Sequence, residues 1–298
     1  PLENIWDADL SDLLPGDDYE GEAQEFYVPH DGLDFFVRTY GAGDHWVFVL
    51  NGGPGQSHDY CELAEVLATT EVRVLTFDQR GTGRTGQPPN GDFAFDTMVA
   101  DMEAIRAHVG AETIHVIGHS FGGAYSIAYA AAHPGKVSSL QLFSSSAATG
   151  LDADDSEFLA RIEAYEQDGT FPPGYNEIEE GDDDCGPYFR TIWPVYLYDD
   201  QFPITDLLAR TRCSLQGFYG FSNSNWGWDY TAEAQSFSKR VAIYWGEADP
   251  FLSESLSIGQ YYGSADLSES EISGCGHYWE ECPQDFFPAA AVAIAESI

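Results

Sequence analysis

Three residues in this chain have the chemistry of acyl transfer and stand where a fold could bring them together: Ser120, Asp249 and His277. A serine hydroxyl is a weak nucleophile at neutral pH until a base takes its proton, and imidazole is well matched to that task. A carboxylate that holds the imidazole in one tautomer and stabilises its cation completes the set. Ser120 is the centre of Gly118-His119-Ser120-Phe121-Gly122-Gly123. In this G-x-S-x-G pattern, small residues two before and two after the serine permit a turn tight enough for the hydroxyl to stand clear of a sheet. The pentapeptide alone is short, and a glycine-rich strand-to-helix turn is its plain alternative. Asp249 adjoins Pro250, where aspartate also serves as a turn former, and Glu247 is a competing acid. Asp249 is preferred because it lies further into the loop. Gly274 and Gly276 leave room around His277, whereas His119 lies inside the elbow, His58 follows a glycine loop, and the other histidines lack a partner pattern.

These residues need strands to carry them. Residues 113–117 read as a buried strand before Ser120, and the alanine-rich 124–132 as a helix after it. Residues 46–50 form another apolar run, ending in Asn51-Gly52-Gly53-Pro54-Gly55. Backbone N–H groups can meet a developing oxyanion only where side chains are out of the way, which Gly52 and Gly53 allow. Residues 72–77 run into Asp78-Gln79-Arg80-Gly81-Thr82-Gly83-Arg84-Thr85, with a helix expected near 97–108. Further strands are expected at 137–143, at 240–245 before Asp249, and near 268–273 before His277, with a closing helix at 286–298. Residues 25–29 and 33–40 form a hairpin around His30-Asp31-Gly32.

Strands alternating with helices predict an α/β fold with a mostly parallel central sheet and helices on both faces. From about 150 to 237 strand alternation gives way to an acidic run at 177–184 and to crowded aromatics, which predicts a mostly helical cap. The expected organisation is a core at 1–149, the cap at 150–237, and the rest of the core at 238–298. Serine, acid and histidine follow three strands in the order of the α/β-hydrolase fold, distinct from the chymotrypsin and subtilisin orders.

Composition narrows the partners. With 43% hydrophobic and 14% aromatic residues among 298, a disordered chain is excluded. Fifty Asp and Glu against twelve Lys and Arg leave a net charge of −38, which repels nucleic acid and anionic membranes. Such acidity, with Lys136 and Lys239 the only lysines, fits a salt-rich habitat where counterions screen self-repulsion, the alternatives being an extracellular or acid-adapted enzyme and a field that attracts cationic substrates. No stretch approaches a membrane-spanning length, and Pro1-Leu2-Glu3-Asn4 begins no signal peptide, so a cytoplasmic setting is expected. Cys61, Cys185, Cys213, Cys275 and Cys282 are odd in number and show no C-x-x-C spacing, so free thiols are expected. Cys275, His277 and Cys282 lack a fourth metal ligand. No cofactor and no metal are expected.

The motifs together resemble the proline iminopeptidase (prolyl aminopeptidase) family of α/β-hydrolases. The stretch from Gly52 to Tyr60 is similar to the family's H-G-G-P-G-x-S-H-D-Y, that from Asp78 to Thr85 to D-Q-x-G-x-G-x-S, and Gly118 to Gly123 to G-x-S-W-G-G with Phe121 for Trp. The resemblance implies an oxyanion hole from the N–H groups of Gly53 and Phe121. The chain departs from the pattern in having Asn51 for the leading His, and Pro250 and Gly220 where one branch carries glutamates that hold the substrate's free amine. Glu163, Glu177 or Glu180 are candidate replacements, and Phe218, Tyr219, Trp226 and Trp228 are candidates for a proline-sized pocket, with cap core as their plain alternative.

The function expected is a serine hydrolase acting through an acyl-enzyme on a small peptide, amide or ester, first as an aminopeptidase releasing N-terminal proline or another small residue. An esterase, lactonase or amidase with the same three residues is the second reading, and a low-turnover binding protein on the same fold is the third.

Overall fold

Short runs of Val, Ile, Leu and Phe become strands because branched and aromatic side chains pack well on a pleated surface buried on both faces. In the computed structural model, which describes residues 10, 13–169, 184–225 and 227–298, they form one sheet. Its strands are β1 (Gln24–His30), β2 (Leu33–Gly41), β3 (His45–Leu50), β4 (Val72–Phe77), β5 (Ile114–His119), β6 (Val137–Phe143), β7 (Arg240–Gly246) and β8 (Asp266–Ile272). The spatial order is β1-β2-β4-β3-β5-β6-β7-β8. The β1–β2 hairpin and the β2–β4 pair are antiparallel, and all other neighbours are parallel.

The helices are α1 (Phe95–His108), α2 (Phe121–Ala132), α3 (Ser156–Asp168), α4 (Gly186–Ile192), α5 (Asp206–Arg210), α6 (Leu215–Ser224), α7 (Thr231–Ser236), α8 (Leu252–Ile258) and α9 (Pro283–Ala295). Alternation along β3 sorts the core into two layers. Phe48 packs with Met102 and Ile105 of α1 and Tyr125 of α2, while Val47 and Val49 pack with Phe286 and Ala290 of α9. Each such buried side chain contributes about 1.5–3 kcal/mol. This is the α/β-hydrolase fold that the pattern predicts, and it sets the carboxyl ends of β3, β5, β7 and β8 beside the candidate residues.

Between β6 and β7 lie α3 to α7. All but α3 are short, and side-chain caps help to hold two of them. Thr205 accepts from Leu208 N at 3.2 Å at the start of α5, and Ser214 from Gly217 N at 3.0 Å at the start of α6. Residues 177–183 of the acidic run, with Glu177 and Glu180, lie outside the described residues, as does Trp226. Among the described residues, no helix is long and apolar enough to cross a membrane.

The expectation of free thiols is corrected for four of the five cysteines. Cys185 pairs with Cys213 and Cys275 with Cys282, leaving Cys61 buried and unpaired. Separations of 28 and 7 residues carry no motif, so pairing was decided by where the cap and the His277 loop bring the sulfurs.

Candidate active site

Ser120 joins β5 to α2 at φ 54° and ψ −127°, a backbone conformation that costs a non-glycine residue about 1–3 kcal/mol. Three bonds hold it there: Ser120 N donates to Phe143 O at 3.1 Å, and Ser120 O accepts from Gly123 N at 2.8 Å and Ser146 N at 2.9 Å. The turn closes against β3, since a side chain at Gly122 would strike the carbonyl oxygens of Leu50 and Asn51. On the other side, a Cβ at Gly52 would meet Ser120 Cβ at 2.7 Å. The glycine loop and the serine therefore touch, as acyl transfer requires of an oxyanion site and its nucleophile. Phe121 occupies the first position of α2, where a backbone N–H has no intrahelical partner, and Gly53 at φ 127° takes a turn open to glycine.

Asp249 and His277 lie in the loops after β7 and β8, with Asp249 Oδ1 2.8 Å from His277 Nδ1 and both side chains buried. Glu247 does not compete for this contact; its Oε2 accepts from Gly274 N at 3.0 Å and so braces the loop that carries His277. His277 N also donates to Tyr196 O in the cap at 2.6 Å, while Glu281 accepts from Gly276 N at 2.7 Å and from Tyr198 N at 3.0 Å. The loop is thereby tied to the cap as well as to the sheet, and the Cys275–Cys282 disulfide brackets it.

A buried relay that sequence reading passed over connects these parts. Gly52 N donates to the Tyr60 hydroxyl, Tyr60 lies 2.7 Å from His119 Nδ1, and His119 Nε2 lies 2.8 Å from His277 O. With Nε2–H donating to the carbonyl, Nδ1 accepts from Tyr60, the pattern of a neutral ring. Burial, and then the nearness of His277, push His119 well below the ordinary histidine range, in agreement with that tautomer. Tyr60 and His119 are separated by 59 positions, and nothing in their local sequence signals the pairing.

Around the glycine loop, Asn51 Nδ2 donates to Gly52 O at 2.9 Å and to Gln56 O at 2.7 Å, and Gln79 Nε2 donates back to Asn51 O at 3.0 Å. Asn51 in place of histidine thus keeps the loop clamped. His58 N and Nδ1 both meet Asp78 Oδ1, at 3.0 and 2.8 Å. Burial works against charge on His58, but its bonds to Asp78 and Glu62 raise it to about 9. His58, Asp59 and Glu62 bring metal-ligand types close together, and two of them are also engaged in ion pairs, His58 with Asp78 at 2.8 Å and Glu62 with Arg210 at 2.6 Å.

A cavity of about 620 Å³ opens where Gly53 and Pro54 meet the cap. Phe218 and Tyr219 line it, as the sequence suggests, together with Phe158, Tyr196 and Phe251, which sequence reading did not single out as binding residues. Phe251 and Tyr196 also flank His277, with ring centroids 5.0 and 5.6 Å away. Trp228 instead packs on Phe95 at 5.9 Å and donates from Nε1 to Ala147 O at 3.2 Å, which makes it cap core. Glu163 bonds Gln167 on exposed α3 and does not line the cavity. Asp155 is the one carboxylate residue among its described lining residues.

Residues 45–176 match a family model described as the alpha/beta hydrolase fold. Among curated proteins, the chain is 36% identical over 117 residues to a proline iminopeptidase of Saccharolobus solfataricus, covering 38% of this chain and 37% of that protein. It is 33% identical over 156 residues to a probable proline iminopeptidase of Streptomyces coelicolor, covering 45% and 47%. The match thus spans less than half the length of these relatives. Among solved structures, a proline iminopeptidase of Mycobacterium smegmatis superposes with TM-score 0.69 at 19% identity, over 92% of this chain and 98% of that one. An esterase of Exiguobacterium antarcticum superposes with TM-score 0.68 at 18% identity, over 91% and 98%.

Proposed function

From a chain that has the α/β-hydrolase fold and is similar in sequence to proline iminopeptidases, we infer a serine hydrolase that works through an acyl-enzyme. The contact between His277 Nδ1 and Asp249 Oδ1 at 2.8 Å, in loops that converge on the strained Ser120 turn, carries this reading. In it, Ser120 Oγ attacks the substrate carbonyl as its proton passes to His277 Nε2. Asp249 holds the imidazole and stabilises its charge, and the N–H groups of Gly53 and Phe121 receive the oxyanion. His277 then gives its proton to the leaving amine or alcohol, and water, activated in the same way, frees the acid and restores Ser120.

The finer reading is an aminopeptidase that removes N-terminal proline or another small residue. The similarity to proline iminopeptidases supports it, as does the aromatic cavity beside Gly53, whose size suits a short peptide end. Asp155 is the group we assign to the substrate's free amine, taking the part of the glutamates absent at Pro250 and Gly220. That Asp155 is the single acid among the cavity's described lining residues also favours a second reading, an esterase or amidase without amine recognition.

Prolyl anilides and simple esters, assayed on wild type, Ser120→Ala and Asp155→Asn, separate these readings. Ser120→Ala is expected to lose about 10⁶-fold in kcat on every substrate, and full retained turnover would overturn the mechanism. Asp155→Asn is expected to raise KM for the anilide about 10- to 100-fold, the worth of a charged hydrogen bond, and to leave esters unchanged. An inert anilide with a good ester would transfer the assignment to the esterase reading.

A further inference from the structure

Cys213, which lines the cavity above, also lines a second pocket of about 640 Å³ with a different character. Its wall carries Arg190, Arg210 and Arg212 beside the Gly81-Thr82-Gly83 turn. The whole chain has twelve cationic side chains against fifty acidic ones, so a pocket holding three guanidinium groups is a sharp local reversal of its charge. Arg210 is bonded to Glu62 at 2.6 Å and remains half-exposed. Among the described residues, neither Arg190 nor Arg212 has a carboxylate within ion-pair distance, although nearly every other arginine of the chain has one. Asp184 also lines the pocket, and its Oδ1 accepts from Gly186 N at 2.9 Å.

We propose that this pocket binds a small molecule bearing two or more carboxylate or phosphate groups. Guanidinium forks match the two oxygens of such groups in a way that an ammonium does not, and several of them in one pocket select for more than one charge. The volume suits a metabolite-sized ligand rather than a single ion. Repulsion from the net charge of −38 reaches only about 8 Å at physiological ionic strength, so nearby guanidiniums outweigh the distant acids. None of the three arginines belongs to the Ser120 site, and the proposal stands apart from the hydrolase reading.

Calorimetric titration with citrate and with pyrophosphate, at ionic strength held constant with sodium chloride, tests it. Wild type is expected to bind at least one probe at one saturable site, and Arg190→Gln/Arg212→Gln to bind it at least tenfold more weakly. Citrate alone would assign carboxylates and pyrophosphate alone phosphates. Arg212 is exposed and Arg190 half-buried with no ion-pair partner among the described residues, and the double variant is expected to keep its Tm and its turnover of a small ester. Should its Tm fall, Arg212→Gln alone is read instead, with at least threefold weaker binding expected. No saturable binding, equal binding by the variant, or binding that chloride displaces one for one, an adventitious ion only, would overturn the proposal.

Discussion

The loops at the strand ends of the sheet and the cap between β6 and β7 meet at the cavity beside Gly53 and Phe251 but hold their side chains by different means. At the strand ends, Ser120, Asp249 and His277 each follow a strand whose ladder bonds set its position to within a residue, and further bonds from Phe143, Ser146 and Tyr196 confine the turns. In the cap, Phe218 and Tyr219 sit on the short, Ser214-capped α6 and Phe158 on the largely exposed α3, with aromatic contacts and the Cys185–Cys213 disulfide between the neighbouring segments. Under the proposed function, chemistry that needs sub-ångström placement falls to the first arrangement, and substrate choice, which tolerates repacking, to the second.

Breaking the first region at one atom tests this most sharply. Asp249→Asn keeps the size of the side chain and removes its charge, and kcat on an ester is expected to fall about 10⁴-fold with the fold intact by circular dichroism. A loss under tenfold would hand the acid's part to Glu247 and undo the assignment. In the cap, Cys185→Ser/Cys213→Ser releases a link that closes 28 residues of chain and is expected to cost about 3 kcal/mol in urea unfolding. If the two regions divide labour as proposed, KM rises in this variant more than kcat falls; the reverse would mean that the cap positions the reacting groups as well.

The smallest effect concerns buried charge behind the site. His58 is raised from 6.5 to about 9 by Asp78 and Glu62 against its burial, burial lifts Glu280 to about 8, and burial lifts Glu254 to about 7. Both Glu280 oxygens lack a hydrogen-bond partner among the described residues, as befits a neutral acid packed in the core. Between pH 6.5 and 9 the folded chain therefore holds more protons than the unfolded one, and its stability falls as pH rises. Urea midpoints measured across that range are expected to decline, and Glu280→Gln to decline less steeply. A rising midpoint would contradict the protonation assigned to these groups.

Most of the sheet was legible in the sequence. β4 and β6 fall at the expected residues, because a strand buried in the middle of a sheet leaves an apolar pattern in its own residues, whereas α1 starts two residues early and the polar, mostly exposed β8 starts two residues early and ends one early. Ser120 was legible too, since its turn demands glycine at Gly118 and Gly122. The Tyr60–His119 relay, the His58–Asp78 pair and the two disulfides were not, because each joins residues whose local sequence is unremarkable and whose meeting depends on how distant elements pack. Trp228 and Phe158 show the same limit in the cap, where an aromatic residue serves core and pocket equally well until its neighbours are known.

The residue order by itself determined the parallel sheet and the places where a serine, an acid and a histidine could stand, because strand periodicity and glycine turns are local properties of the backbone. Only the tertiary structure decided that Asp249 rather than Glu247 meets His277 and that, among the described residues, Asp155 is the carboxylate lining the cavity. It also decided that three arginines gather in one pocket of a strongly acidic chain. Those outcomes depend on distances between segments, which local sequence does not encode.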